Sequence, residues 1–89
     1  MPAEILTLPI DRVTVTKVSR PMPTSAPHVS MYAIDALAVD GTIRQYETTN
    51  AWKASQCELS RMRNTLLRIH YKRHPRFGSN DIVRVEVDS

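Results

Sequence analysis

Hydrophobic and polar residues alternate in two stretches, one near each end of the chain. From Ile10 to Val18 an apolar or β-branched residue follows a polar one at nearly every step. Ile82–Val87 alternates strictly, with valines on one side and Arg84 and Glu86 on the other. Alternation of this kind is typical of a half-buried β-strand. Both stretches are therefore predicted as strands, and Ile5–Leu8 as an extension of the first or a separate short edge strand.

The middle of the chain predicts a β-hairpin preceded by a loop. Met31–Val39 is rich in apolar residues, and Asp40-Gly41 separates it from a second strand-like run at Thr42–Tyr46. Asp-Gly favours a tight turn because glycine tolerates positive φ without steric cost. Residues 19–30 contain three prolines, which fix φ and remove amide donors, so this segment is predicted as an extended loop.

The pattern then changes to a helical period. Thr48-Thr49-Asn50 supplies N-cap residues, and Pro75 is a residue that ends helices. A second start lies inside the segment, where Ser55 and Glu58 have the spacing of a capping box. The sequence predicts one long amphipathic helix over Asn50–Arg73, whose apolar side consists of Trp52, Leu59, Met62, Leu66 and Ile69.

The predicted element order is β-β-β-α-β. Because one helix covers only one face of a sheet, the expected fold class is α+β, an antiparallel or mixed sheet of three to four strands with the long helix on one face. Residues 1–89 form a single domain, and the proline-rich loop 19–30 belongs to it. The other sheet face then meets solvent or a partner, and an exposed sheet edge is open to pairing with another chain.

Composition excludes several classes of protein. Among 89 residues there is one cysteine, Cys57, so the chain has neither an internal disulfide nor a cysteine-based zinc site. A reducing cytoplasm is the predicted location. No apolar run approaches the roughly 20 residues that span a bilayer, and no run of about 7–15 apolar residues follows a basic start, so neither a signal peptide nor membrane association is expected.

Charge is distributed unevenly along the chain. Twelve basic and nine acidic residues leave a net charge of +3, yet residues 52–76 carry seven of the basic residues against Glu58 alone. Solvated surfaces usually mix both signs of charge. A cation-rich helix face points to phosphates or to an acidic protein surface.

Candidate catalytic and metal groups do not form a set in the sequence. His70 and His74 have the spacing of two ligands on one helix face, but no third ligand accompanies them and the neighbouring residues are basic. Cys57 lies in the middle of the predicted helix with no base beside it. The chain is therefore predicted to be no enzyme and to bind neither a metal nor a cofactor.

Residues Val39-Asp40-Gly41-Thr42-Ile43-Arg44 and the helix after them loosely resemble the sheet-plus-helix DNA-binding domains at the start of phage-type integrases. The resemblance covers about a third of the chain. Those domains read DNA with a basic sheet face, whereas this hairpin carries Arg44 as its one basic residue. No site residue is taken over from them.

The first hypothesis for function is a small non-catalytic binding or regulatory module. It would contact nucleic acid or a nucleoprotein complex through the outward helix face, with little sequence preference. Cations would neutralise phosphates and aromatic rings would stack. The residues predicted to do so, on nucleic acid or on an acidic partner, are Lys53, Arg61, Arg68, Tyr71, Lys72, Arg73, Arg76 and Phe77.

A second hypothesis belongs to a different class. The chain has the size of small phage or mobile-element products that act as inhibitors or adaptors by docking on a larger host protein complex, and the proline-rich loop offers contacts for docking. A homodimer through a sheet edge or the uncovered sheet face is a third hypothesis. A helix face that meets only solvent remains the alternative to all of them.

Overall fold

The computed structural model describes residues 8–88, and strands make up 52% of them. The predicted strands at Ile10–Val18, Met31–Val39, Thr42–Tyr46 and Ile82–Val87 are confirmed within a few residues, whereas the segment 5–8 lies, apart from Leu8, outside the described residues. The elements are β1 (Ile10–Val18), β2 (Met22–Pro23), β3 (Ser30–Ala38), β4 (Ile43–Thr48), α1 (Ala51–Arg63), β5 (Leu66–Arg73) and β6 (Asn80–Val87).

Five of the strands close into a barrel. The order around the barrel is β1-β5-β6-β4-β3, and β3 pairs with β1 again. All neighbours are antiparallel except β4 and β6, which are parallel. The two-residue strand β2 pairs with β3 outside the barrel and lies within the predicted loop 19–30. The predicted α+β fold class, a sheet of three to four strands under a long helix, is therefore wrong.

The helix begins as predicted and ends ten residues early. The side chain of Asn50 accepts a hydrogen bond from the amide of Lys53 at 3.0 Å, which is the predicted N-cap. Asn64 then adopts the left-handed conformation, with φ 54° and ψ 45°, and ends α1. The hydroxyl of Ser60 donates to the carbonyl oxygen of Thr65 at 2.9 Å and holds the chain as it leaves the helix.

The second half of the predicted helix is β5, because its residues also alternate with a period of two. Leu67 and Ile69 are fully buried, while Arg68 between them points outward. A strand here satisfies main-chain groups on both sides, since β5 pairs with β1 and with β6. A surface helix would leave those two edges open, and that cost outweighs the modest helix propensity of the segment.

The core fills the barrel, and α1 lies across one end of it. The helix contacts β1, β3, β4 and β6. Its buried side consists of Ala54, Cys57 and Ser60, which recur every three residues. The side predicted as apolar core is instead exposed, with Trp52 at 71% and Met62 at 70%. The largest fully buried side chains are Tyr46, Ile34, Leu67, Ile69, Val13 and Cys57.

The left-handed residue at the end of α1 gives a test of the helix boundary. Asn64→Ala is expected to lower the free energy of unfolding by about 1 kcal/mol, because alanine lacks the polar side chain that makes this conformation tolerable. Asn64→Gly is the matched control and should cost nothing, since glycine adopts positive φ freely. Urea denaturation of both variants measures the difference. Equal stabilities would contradict the assignment of Asn64 as the terminating residue.

Candidate functional site

The eight residues predicted to bind a partner do not share one surface. Lys53 is half-buried in the first turn of α1. Arg61 in the last turn forms a bidentate ion pair with Glu58. The others lie beyond the helix: Arg68, Tyr71, Lys72 and Arg73 on β5, and Arg76 and Phe77 in the turn after it. The prediction of one basic helix face is therefore wrong, because most of its cations lie on a strand and in a turn and not on the helix. The association with nucleic acid that rested on it loses its basis.

Arg68 belongs to a network of opposite charges on the outer face of β1, β5 and β6. The carboxylates of Glu86 and Asp88 both lie within 3.8 Å of its guanidinium. The ring of His70 is hydrogen-bonded to Glu86 at 2.8 Å, and that bond, helped by neighbouring arginines, lowers the pKa of Glu86. Arg12 binds Asp88 at 2.7 Å. This face is internally paired, so it offers little free charge to a ligand.

The side chain of Tyr71 is partly buried and packs against the core. Its ring meets the ring of buried Tyr46 edge-on, with 5.6 Å between centroids. The hydroxyl of Tyr46 donates to the carboxylate of Asp11, and burial together with this bond raises the pKa of Tyr46 far above its ordinary value. The geometry removes Tyr71 from the set of side chains that can stack on a ligand.

The turn at residues 74–79 holds Phe77 in a defined, exposed position. The amides of Arg76 and Phe77 donate to Nδ1 of His74 at 3.1 and 3.3 Å, and the amide of Gly78 donates to the His74 carbonyl oxygen at 2.9 Å. Gly78 has φ 70°, which favours glycine. The rings of His74 and Phe77 are stacked at 4.8 Å, and Phe77 remains 75% exposed. One aromatic face is thus held rigid beside the barrel.

The barrel wall is weakest between β4 and β6. These strands join at one residue pair, Glu47 and Asp81. A side-chain bond supports the junction, since Asn80 Nδ2 donates to the carbonyl oxygen of Gln45 at 3.1 Å. This bond also shows that the main-chain groups of Gln45 point away from β3. Beyond the junction no other described strand pairs with this edge of β4, and the edge borders open space.

A cleft occupies that space, on the outer side of β3 and β4 and next to the turn at residues 74–79. It consists of two adjoining depressions of about 560 and 320 Å³, both bordered by Glu47 and Ser79. Acids, amides and a hydroxyl face it, and Phe77 forms part of its wall. We call it the cleft and define it by Asp35, Gln45, Glu47, Phe77, Ser79 and Asn80.

The charge of the cleft is opposite to that of the chain. Asp35, Glu47 and Asp81 border it, against the single cation Arg44, whose guanidinium lies 3.8 Å from the carboxylate of Asp11. Of the predicted site residues, Phe77 is the one in its wall. Sequence reasoning missed the others, although the outward-facing positions of a correctly predicted β3–β4 hairpin contain Asp35, Gln45 and Glu47.

Candidate metal ligands stay apart. His70 is bound to Glu86 on β5 and β6, whereas His74 accepts main-chain bonds within the turn. Residues 8–88 contain no group of three or more His, Cys, Asp or Glu side chains arranged to hold a metal ion. No helix within the same residues has the length and apolar character needed to cross a membrane.

Comparison with known proteins gives one clear likeness, and it is structural. No protein-family model matches the sequence, and no curated protein does. The chain is similar to a solved structure described as the A-subunit of the AB5 toxin from E. coli with Neu5Gc-2,3Gal-1,3GlcNAc. The TM-score is 0.71 at 14% sequence identity, over 88% of this chain and 80% of that chain. The fold is of the OB type. At this level of identity the likeness extends to the fold alone.

Proposed function

We propose that this chain is a non-catalytic binding module that holds a short, neutral oligosaccharide in the cleft. One observation carries the proposal: the outer side of β3 and β4 presents acids and amides beside a rigid, exposed aromatic ring. The proposal keeps the predicted absence of catalysis and replaces the predicted ligand.

The polar groups of the cleft match the chemistry of sugar hydroxyls. Each hydroxyl both donates and accepts a hydrogen bond. Asp35 and Glu47 accept, while Gln45 and Asn80 carry amides that do both. Hydrogen bonds to ionised carboxylates are about twice as strong as those between neutral groups, so a few of them suffice to orient a small ligand.

Phe77 supplies the apolar part of the site. An aromatic ring buries a large surface at little cost in side-chain entropy, and its face fits the flat C–H side of a sugar ring. The turn already holds this ring through His74, so binding does not have to order it. A neutral, hydroxyl-rich ligand can therefore pack one face of a sugar on the ring while its hydroxyls form hydrogen bonds with the carboxylates and amides.

The position of the cleft in the fold also supports the proposal. OB barrels bind oligonucleotides and oligosaccharides on the face of their second and third strands and the loops beside it. In this chain the second and third barrel strands are β3 and β4, and the turn 74–79 is one of those loops. The similar toxin subunit was solved with the glycan Neu5Gc-2,3Gal-1,3GlcNAc, which concerns that protein. That glycan is a saccharide, as proposed here, but its sialic acid carries a carboxylate, so the choice of a neutral ligand rests on the charge of the cleft alone.

Between the two ligand classes of OB barrels, charge favours the saccharide. A phosphate backbone in the cleft would face Asp35, Glu47 and Asp81, and like charges brought together cost free energy. Lys72, Arg73 and Arg76 form no ion pair with another described residue, yet none of them borders the cleft.

Titration with neutral di- to tetrasaccharides containing galactose and N-acetylglucosamine tests the proposal. The measurement is the amide spectrum of the ¹⁵N-labelled chain, which detects dissociation constants in the millimolar range. Amides at Asp35, Gln45, Glu47 and residues 77–80 should shift together. Glu47→Ala and Phe77→Ala should each weaken binding at least about tenfold, the effect of losing roughly 1.4 kcal/mol.

Trp52→Ala is the matched control, because Trp52 is an aromatic residue of similar exposure that lies outside the cleft. It should leave the affinity unchanged. A single-stranded oligothymidylate serves as the comparison ligand. If no saccharide shifts the cleft amides, the proposal is wrong, and salt-dependent binding of the oligonucleotide would return support to a nucleic-acid function.

A further inference from the structure

One edge of β6 has no strand partner over most of its length. The amide of Asp88 donates to the carbonyl oxygen of Leu66 at 2.9 Å, so the main-chain groups of residue 88 point toward β5. Because these directions alternate along an antiparallel ladder, the groups of Val85 and Val87 point away from β5. On that side β6 meets β4 only at Asp81. Residues 83–87 therefore present a free edge within the part of the chain that the structure describes.

The sequence along this edge is complementary to itself. It runs Val83-Arg84-Val85-Glu86-Val87. Within one chain the guanidinium of Arg84 lies 2.9 Å from the carboxylate of Glu86. When a second copy pairs antiparallel with Val85 opposite its own equivalent, each Arg84 also lies opposite the Glu86 of the other copy, so the ion pairs extend across the two strands. The valines at 83 and 87 then face each other at both ends. Opposite charges directly across a ladder stabilise it, and like charges destabilise it.

The direction of the main-chain groups fits the same register. With Val85 opposite its equivalent, that pair exchanges both of its main-chain hydrogen bonds, which requires the groups of Val85 to point outward. Arg84 and Glu86 then form the closer, non-bonded pairs, where side chains approach best. A register shifted by one residue would put outward-pointing groups opposite inward-pointing ones.

Apolar surface accompanies the free edge. A groove of about 200 Å³ runs between α1 and β6, and Leu59 and Val87 line it. Val87 is 63% exposed and Leu59 is 46% exposed, and Met62 lies nearby on the same helix at 70%. Proteins usually protect a long apolar edge, since it invites pairing with another chain. Here the apolar border favours a partner that covers it.

We propose that two copies of this chain associate through antiparallel pairing of β6 with its equivalent, in the register that sets Arg84 opposite Glu86. The partner is a second copy because the charges along the edge complement themselves under a two-fold axis, which is the symmetry of most homodimers. The pairing joins the two barrels through one continuous sheet and covers the groove beside α1. It leaves the cleft free, since β4 and the turn 74–79 lie on the other side of the β4–β6 junction.

Charge reversal of Arg84 tests the association. Sedimentation equilibrium across a dilution series from millimolar to micromolar should give a dimer, and Arg84→Glu should raise its dissociation constant at least about tenfold by placing four carboxylates along the ladder. Arg84 is 67% exposed in its side chain, so the variant should remain folded, which thermal denaturation checks. Lys17→Glu is the control, because it makes the same charge change at an exposed site on β1.

Cysteine cross-linking tests the register. Chains with Arg84→Cys mixed with chains carrying Glu86→Cys should form disulfide-linked dimers under mild oxidation, since side chains directly opposite lie within disulfide reach. Either variant alone places its cysteines diagonally, at about 7–8 Å, and should cross-link far less. The native Cys57 is fully buried and does not compete. A monomer at all concentrations, or a dimer that resists Arg84→Glu and gives no cross-link in the mixture, would overturn the proposal.

Discussion

Tyr46→Ala is expected to lower the free energy of unfolding by about 3–5 kcal/mol, the range for removing a large aromatic side chain from a packed core. Tyr46 is 1% exposed, and its ring packs edge-on against Tyr71. Domains of this size have stabilities of only about 4–13 kcal/mol. Chemical denaturation monitored by circular dichroism should therefore find Tyr46→Ala largely unfolded in mild denaturant.

Two further variants separate the ring from its hydroxyl. Tyr46→Phe keeps the packing but leaves the half-buried carboxylate of Asp11 without its donor, so a loss of about 1–2 kcal/mol is expected. Ile43→Ala on the same strand is the control, because Ile43 is 77% exposed and should cost less than about 0.5 kcal/mol. If Tyr46→Ala costs no more than Ile43→Ala, Tyr46 does not pack in the barrel interior.

Stability is expected to fall as the pH rises above about 9. Burial raises the pKa of the Cys57 thiol from 9.0 to about 12, and Tyr46 also has a raised pKa. In the unfolded chain both groups lose their protons near their ordinary pKa values, 9.0 for the thiol and 10.0 for the phenol. In the folded chain they stay protonated at that pH. The unfolded state then binds fewer protons, so alkaline pH favours unfolding. For Cys57 alone the loss reaches about 2 kcal/mol near pH 10.5.

Cys57→Ala isolates the thiol. This variant is less stable than the natural chain at neutral pH because it leaves a small cavity. Its stability should nevertheless depend less on pH, so the gap between the two proteins narrows by about 2 kcal/mol as pH rises from about 8.5 to about 10.5. Urea denaturation at several pH values measures this gap. A constant gap would contradict the burial of an ionisable thiol in the core.

The strands were predictable because a two-residue period is a local property. β1, the β3–β4 hairpin and β6 appear in the sequence with nearly their observed bounds. The N-cap at Asn50 was equally visible, since a short polar side chain before a helical pattern is a local signal. Each of these predictions needed only neighbours along the chain.

The end of the helix was not predictable from apolar spacing alone. Leu59, Met62, Leu66 and Ile69 continue a helical period, while Leu67, Ile69 and Tyr71 form a period of two in the same segment. Asn64 was the available signal for a boundary, because asparagine is the residue other than glycine that most readily ends a helix in the left-handed conformation. Two open strand edges decided the outcome, and no local pattern contains them.

The candidate site depended even more on tertiary structure. The cleft brings together β3, β4, the turn 74–79 and the start of β6, so that Asp35 and Asn80, which are 45 residues apart in sequence, border the same space. It exists because β4 and β6 run parallel and join at one residue pair. Charge counting along the chain pointed to the cations of residues 52–76, yet the fold spreads those cations over a helix, a strand and a turn.

The sequence by itself determined where strands form, where the helix starts and that the chain carries excess positive charge, because these follow from the period and identity of adjacent residues. Only the tertiary structure decided that residues 66–73 are a strand, that five strands close into a barrel and that acids gather in a cleft on a basic protein. The physical reason is that main-chain groups must find partners on both sides of every buried strand, and those partners are distant in sequence.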